Sequence, residues 1–157
     1  MRVISVDPGR TTGYCYATFD KGKLYFAPFQ MVDDVDEFWD RLKAFWPKHI
    51  IMEDFQFRKG TRMSGGLDMF PMQLIGVARL FEMRHPTIKL WMQTPSEGKS
   101  FYTDMTLKKL DLYQRGEEHG RDASRHLLQW ATFGAGYKFS DGTRNFATLV
   151  KKEVFSI

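Results

Sequence analysis

Hydrophobic and polar positions divide the chain into short blocks whose period changes along its length. Residues 2–6 form a β-branched run stopped by Asp7-Pro8-Gly9. A second run with aromatics covers 11–19, and a third covers 24–31 after the turn chemistry of Asp20-Lys21-Gly22-Lys23. Short turns join antiparallel neighbours, so the pattern predicts a three-stranded meander. The period then lengthens. Val35, Phe38, Trp39, Leu42, Phe45 and Trp46 share one face of a helix predicted over 33–46, with Asp33, Asp34 and Asp36 at its electrically favoured end and Pro47 stopping it.

His49-Ile50-Ile51-Met52-Glu53 reads as a short buried strand ending in a carboxylate, followed by a basic, glycine-containing loop. A second helix starts at Leu67 or Pro71 and runs to Met83. A fifth strand covers 88–92, and Thr94-Pro95-Ser96-Glu97-Gly98 reads as a break. Helices over 105–113 and 118–133 complete the pattern, the last stopped by Gly134 and Gly136, while 137–157 gives only weak signals. Strands separated by helices run parallel to the first. The expectation is one α/β domain over 1–157, with a mixed five-stranded sheet (the meander plus two parallel strands) flanked by helices.

Composition changes this picture little but narrows the function. With 43% apolar and 15% aromatic residues in 157, the chain can bury a core. The single cysteine, Cys15, rules out an internal disulfide and reads as a core thiol suited to a reducing cytoplasm. No run approaches the roughly 18 apolar residues of a membrane span. The N-terminus meets a charge and a proline too early for a secretion signal, so a cytoplasmic location is expected. A net charge of +4 and a pI near 9.2 favour a polyanionic partner. The stretch 55–66 holds Arg58, Lys59 and Arg62 and no acid. It reads either as a solvated loop or as a phosphate contact with Phe55 or Phe57 inserted between bases.

Candidate chemistry collects at element ends. Asp7 ends the first strand and Glu53 the fourth, with Asp54 beside it as an alternative. His119 and Asp122 stand i, i+3 near the start of the last helix. His126, one turn further along that face, stands behind the site or on the surface. In a parallel arrangement the carboxyl ends of the first and fourth strands share the edge where α/β sheets carry their sites. Each residue alone has a plain reading as a turn, a solvated strand end or a helix-dipole pair. Together they suit phosphodiester hydrolysis, in which two divalent cations offset charge on the attacking and leaving oxygens. Clustered carboxylates repel one another without a cation. Oxygen ligands favour Mg²⁺, and an imidazole lets Mn²⁺ substitute.

Val3-Ile4-Ser5-Val6-Asp7-Pro8-Gly9 followed by Thr12-Gly13-Tyr14 resembles the opening of RuvC-family Holliday junction resolvases. Ile50-Ile51-Met52-Glu53 with Phe55 is similar to that family's second acidic strand, and His119-Gly120-Arg121-Asp122-Ala123 to its C-terminal helix. The resemblance covers about the first 130 residues. It implies an RNase H-like fold and a homodimer that binds a four-way junction and nicks opposing strands, a crossover junction endodeoxyribonuclease. It also implies Asp7, Glu53, His119 and Asp122 as ligands of two Mg²⁺ per site, with Asp7 bridging and His119 helping to activate water. Phe55, or Phe57, corresponds to the aromatic near the junction centre, and Lys99, Lys108 and Lys109 fall where the family carries basic residues. His119 stands where many members have Asp, and Met69-Phe70-Pro71-Met72 departs from the bacterial pattern. The small size is similar to phage-encoded members acting on a wider range of branched DNA, in a bacterial or phage-infected cell.

Three rivals remain. A phosphotransferase of the actin and sugar-kinase type needs a second domain that 157 residues cannot hold. An RNA-processing RuvC-like nuclease fits the same size and acids. A non-catalytic branched-DNA-binding protein would carry carboxylates that only repel phosphate.

Overall fold

β1 (Arg2–Asp7) is the centre of the sheet because its hydrophobic alternation is satisfied on both faces. β2 (Thr12–Asp20) and β3 (Lys23–Met31) fold back on one side of it as an antiparallel meander, while β4 (His49–Glu53) and β5 (Lys89–Gln93) add in parallel on the other. The order is β3-β2-β1-β4-β5. This computed structural model describes residues 1–20, 23–56, 68–109 and 112–133. The mixed five-stranded sheet flanked by helices is the architecture predicted from the pattern.

The two-residue period of the strands sorts side chains into two cores. Ile4, Val6, Ile50 and Met52 face α1 (Val35–Phe45) and α2 (Phe70–Arg84), packing with Phe38, Leu42, Leu74, Ala78 and Phe81. Val3 and Ile51 face the other way, packing with Ala123, Leu127 and Leu128 of α5 (Glu118–Phe133). Each fully buried leucine contributes about 1.5–3 kcal/mol, enough to hold α5 across the sheet. Cys15 lies in this second core, its thiol pushed up to about 12 by burial, as suits an unreactive core cysteine.

Helix ends follow local chemistry. Asp34 caps α1 in a reciprocal box, accepting from Glu37 N–H at 2.8 Å while Glu37 accepts from Asp34 N–H at 2.9 Å. Asp33 lies outside the helix and is buried, accepting from the Tyr14 hydroxyl at 2.5 Å and from Arg41 at 2.7 and 3.0 Å. At the other end Trp46 takes a left-handed φ of 49° and leaves the apolar face, packing edge-on against His85.

The expected break at 94–98 is instead the start of α3 (Pro95–Phe101). Proline is tolerated in the first turn, where its missing N–H has no intrahelical partner. Glu97 then accepts from the Thr94 N–H at 2.5 Å and from its hydroxyl at 2.9 Å. α4 (Asp104–Lys109) is shorter than the predicted 105–113. Leu112 N–H reaches back to Leu107 C=O, a wider turn than an α-helix makes. Among the described residues no helix is long and apolar enough to cross a membrane.

Candidate active site

Strand period decides which way the acids point. Asp7 shares the face of Val3 and Ser5, and Glu53 that of Ile51, so both carboxylates project toward α5. The parallel pairing Ile4–Ile50, Ser5–Ile51, Val6–Met52 puts the two acids one step further on, at the carboxyl ends of β1 and β4. Gln93 pairs with Glu53 across β4–β5 and ends β5 on the same face.

α5 brings the remaining candidates. Its N-terminus sits against the meander because Gly13 and Gly120 leave no side chain in the way. A Cβ at Gly13 would lie 2.0 Å from the His119 carbonyl oxygen, and one at Gly120 would lie 2.9 Å from that of Phe29. Gln30 fixes the seat by accepting from His119 N–H at 3.0 Å. From there His119 Nδ1 meets Asp7 Oδ2 at 2.9 Å, and no bond among the described residues engages its Nε2. Asp122, one turn on, is buried, with Lys99 Nζ at 2.9 Å from Oδ2 and Arg125 bonded to Oδ1. Arg125 is itself buried and held by Asp104 and by the Tyr102 carbonyl at 2.8 Å. Glu53 Oε2 accepts from His126 Nε2 at 2.7 Å.

The electrostatics show one shared field. Burial raises the Asp7 carboxyl above its usual range, Glu53 and more weakly Asp122 add to the rise, and the His119 bond offsets only part. Burial alone would pull the Lys99 ammonium down, but Asp122, Glu53 and Asp7 together hold it above the ordinary lysine value. A cation placed among these three acids is therefore stabilised by all of them. An open cleft of about 470 Å³ adjoins them, lined by Pro8, Glu53, Asp54, Phe55, Ser96 and Lys99 among others.

As they stand, no three His, Cys, Asp or Glu side chains among the described residues close round a common point. Each is already engaged: Glu53 by His126 through one oxygen, Asp122 by Lys99 and Arg125, and Asp7 by His119. The donor set still fits a hard divalent cation, being three carboxylates and one imidazole on one edge.

The proposed nucleic-acid contacts fall in three places. Phe55 is half-buried on the cleft wall and packs against the α1–α2 core. Lys99 sits on Asp122, because α3 begins at Pro95, ten residues before the helix the sequence suggested from 105. Lys108 and Lys109 are exposed on α4, with Lys108 Nζ 4.6 Å from the centre of the Tyr113 ring. Phe57, Arg58, Lys59 and Arg62 lie outside the described residues. Arg125 and Gln93 were missed, and of the two expected places for His126 the structure gives the buried one behind Glu53. Arg125 had a signal in its i, i+3 spacing from Asp122, and Gln93 in its place as the polar end of an apolar strand.

The sheet order, the meander and the helix across β1 define a RNase H-like α/β architecture. The fold is similar to that of solved Holliday junction resolvases. The chain superimposes on Thermus thermophilus RuvC in complex with a Holliday junction substrate with a TM-score of 0.61 at 14% identity, covering 83% of this chain and 93% of that one. A second structure of Thermus thermophilus RuvC gives 0.59 at 16% identity over 83% and 93%. The fowlpox virus Holliday junction resolvase gives 0.54 at 14% identity over 83% and 97%. At these identities the likeness is one of fold. No protein-family model matches the sequence, and no curated protein sequence matches it.

Proposed function

We propose that this protein is a divalent-metal-dependent endonuclease that resolves four-way DNA junctions, and related branched DNA, by paired phosphodiester hydrolysis. The observation that carries the reading is the placement of Asp7, Glu53, His119 and Asp122 at one sheet edge on a resolvase-type fold, with Asp7 raised by burial and then by its acidic neighbours. Asp7, Glu53 and Asp122 would hold two Mg²⁺, or Mn²⁺ in their place. Cations bound there would lower the pKa of water and offset charge on the attacking and leaving oxygens. His119 holds Asp7 through Nδ1, which leaves Nε2 to exchange a proton with water. Lys99 and Arg125 balance the acids until a cation competes for the same oxygens.

The decisive experiment is a cleavage gel with four-way junction, Y-fork, linear duplex and structured RNA, each in Mg²⁺, Mn²⁺ or EDTA. Symmetric nicks in the junction, dependent on metal, are expected; additional cutting of forks would make the enzyme a broader debranching nuclease. Cutting of RNA alone would replace the reading with an RNA-processing one. EDTA-insensitive binding without cleavage would make the protein a junction-binding module.

Paired nicking needs two sites, and α2 offers a surface for a second copy. Met69, Met72, Leu80 and Met83 are exposed at helical spacing around Gly76, over which there is open space. Small residues let helices approach closely, and an exposed apolar stripe is a liability unless covered. Leu80→Glu with Met83→Glu is expected to turn a dimer into a monomer in light scattering and to leave only unpaired nicks. An unchanged mass would move the interface elsewhere.

A further inference from the structure

His126 is fully buried on α5, yet it is not surrounded as a core filler would be. A leucine at this position would need no partners, whereas a buried imidazole is costly unless both ring nitrogens are satisfied. Both are. The Glu53 carboxylate and the Gln93 amide oxygen both only accept, so the ring donates through both nitrogens, Nε2 to Glu53 Oε2 at 2.7 Å and Nδ1 to Gln93 Oε1 at 2.7 Å. The amide of Gln93 in turn donates to Gln129 Oε1 at 2.8 Å, and Gln129 lies one turn beyond His126 on the same helix. The ring is clamped from a third side. A Cβ on Gly98 of α3 would lie 2.9 to 3.1 Å from three of its atoms, so the backbone of α3 presses flat on the imidazole.

This chain of bonds runs from β5 and α5 to a single end point, the Glu53 carboxylate on the cleft wall. Glu53 has three side-chain torsions and sits at the last residue of its strand, where nothing in the strand itself fixes its carboxylate. The bond from His126 fixes Oε2 and leaves Oε1 without a partner among the described residues. We propose that His126, backed by Gln93 and seated by Gly98, is the positioning residue that sets the Glu53 carboxylate for cation capture. The proposal rests on the metal-dependent reading given above. It assigns Gly98 a purpose as well: any side chain there would displace the ring.

The test uses the full-length chain freed of metal, with Mn²⁺ alone titrated calorimetrically and folding followed by circular dichroism. An asparagine amide nitrogen overlies the Nδ1 position of histidine, while that of glutamine overlies Nε2. His126→Asn therefore keeps the contact with Gln93 and loses that with Glu53, and His126→Gln keeps the donor to Glu53. Partners that orient a ligand typically account for about 10–100-fold in metal affinity, so His126→Asn is expected to weaken Mn²⁺ binding by that factor. His126→Gln is expected to recover most of it at similar thermal stability. Gly98→Ala, which keeps every hydrogen-bonding group and presses a methyl onto the ring, weakens Mn²⁺ binding in the same direction and serves if the His126 variants unfold. Mn²⁺ affinity equal to the parent's in His126→Asn or in Gly98→Ala overturns the proposal, as does a His126→Gln no better than His126→Asn. A parent chain that takes up no Mn²⁺ overturns the metal-dependent reading itself, and this proposal with it.

Discussion

Asp7→Asn, Glu53→Gln and Asp122→Asn are each expected to lower junction cleavage by on the order of 10³-fold while junction binding in EDTA stays equal or becomes tighter. The three acids face one edge and share one field, so each neutral substitution removes a proposed ligand and also some of the charge that a cation would relieve. Binding is expected to survive because phosphates are held by cationic and backbone donors, and removing a carboxylate removes a repulsion. Asp7→Asn carries a second signature. Burial and Glu53 raise the folded-state affinity of Asp7 for its proton above the usual value of 3.8. The cost of keeping it charged is therefore absent below the unfolded-state value, grows as pH rises through the folded-state one, and is present in full above it. In EDTA at neutral pH the Asp7→Asn chain should melt above the parent, and the gain should vanish near the acid end. Near-parental cutting by any of the three would remove that residue from the site. A lower melting temperature for Asp7→Asn at neutral pH would mean that His119 stabilises Asp7 more than its burial and acidic neighbours destabilise it.

Much of this arrangement is legible in the sequence because strand period and helix spacing are strict. Asp7 and Glu53 each follow an alternating or continuous apolar run, so burying that run also fixes the direction of the acid at its end. The i, i+3 spacing of His119 and Asp122 similarly fixes them to one side of α5. What could not be read is the layer behind the acids. Pro95 and Gly98 have the sequence signature of a break, yet one begins α3 and the other makes room for the His126 ring. That misreading hid the placement of Lys99, which a loop would have sent toward solvent and the helix sends onto Asp122. Gln93, His126 and Gln129 meet only because β5 pairs with β4 beneath α5, a tertiary fact that no local spacing encodes.

The seat of α5 is where a single methyl group should do the most damage. Gly13 pairs with Asp7 on one side and Gln30 on the other, at the point where β2 passes under the first turn of α5. A Cβ there would lie 2.0 Å from the His119 carbonyl oxygen, 2.2 Å from its carbonyl carbon and 2.8 Å from its Cβ. Two of these are backbone atoms, so no rotamer change relieves the clash and the helix must withdraw. Overpacking of this kind costs about 1–3 kcal/mol, and for a domain of this size each kcal/mol lowers the melting temperature by roughly 2–4 °C. The larger consequence is geometric. His119 reaches Asp7 at 2.9 Å and Asp122 is carried on the same helix, so withdrawal separates both from the strand-borne acids. A misplacement of about 1 Å can cost roughly 10²-fold in rate. Gly13→Ala is therefore expected to lose at least that much cleavage when assayed well below its melting temperature. Gly120→Ala, whose Cβ would approach the Phe29 carbonyl oxygen only to 2.9 Å, should lose less. Because the defect is one of position and removes none of the proposed ligands, raising Mn²⁺ should restore Gly13→Ala only partly and Asp7→Asn not at all. Parental cleavage by Gly13→Ala would show that catalysis does not depend on α5 lying against β2, and with that the contact between His119 and Asp7 would lose its role.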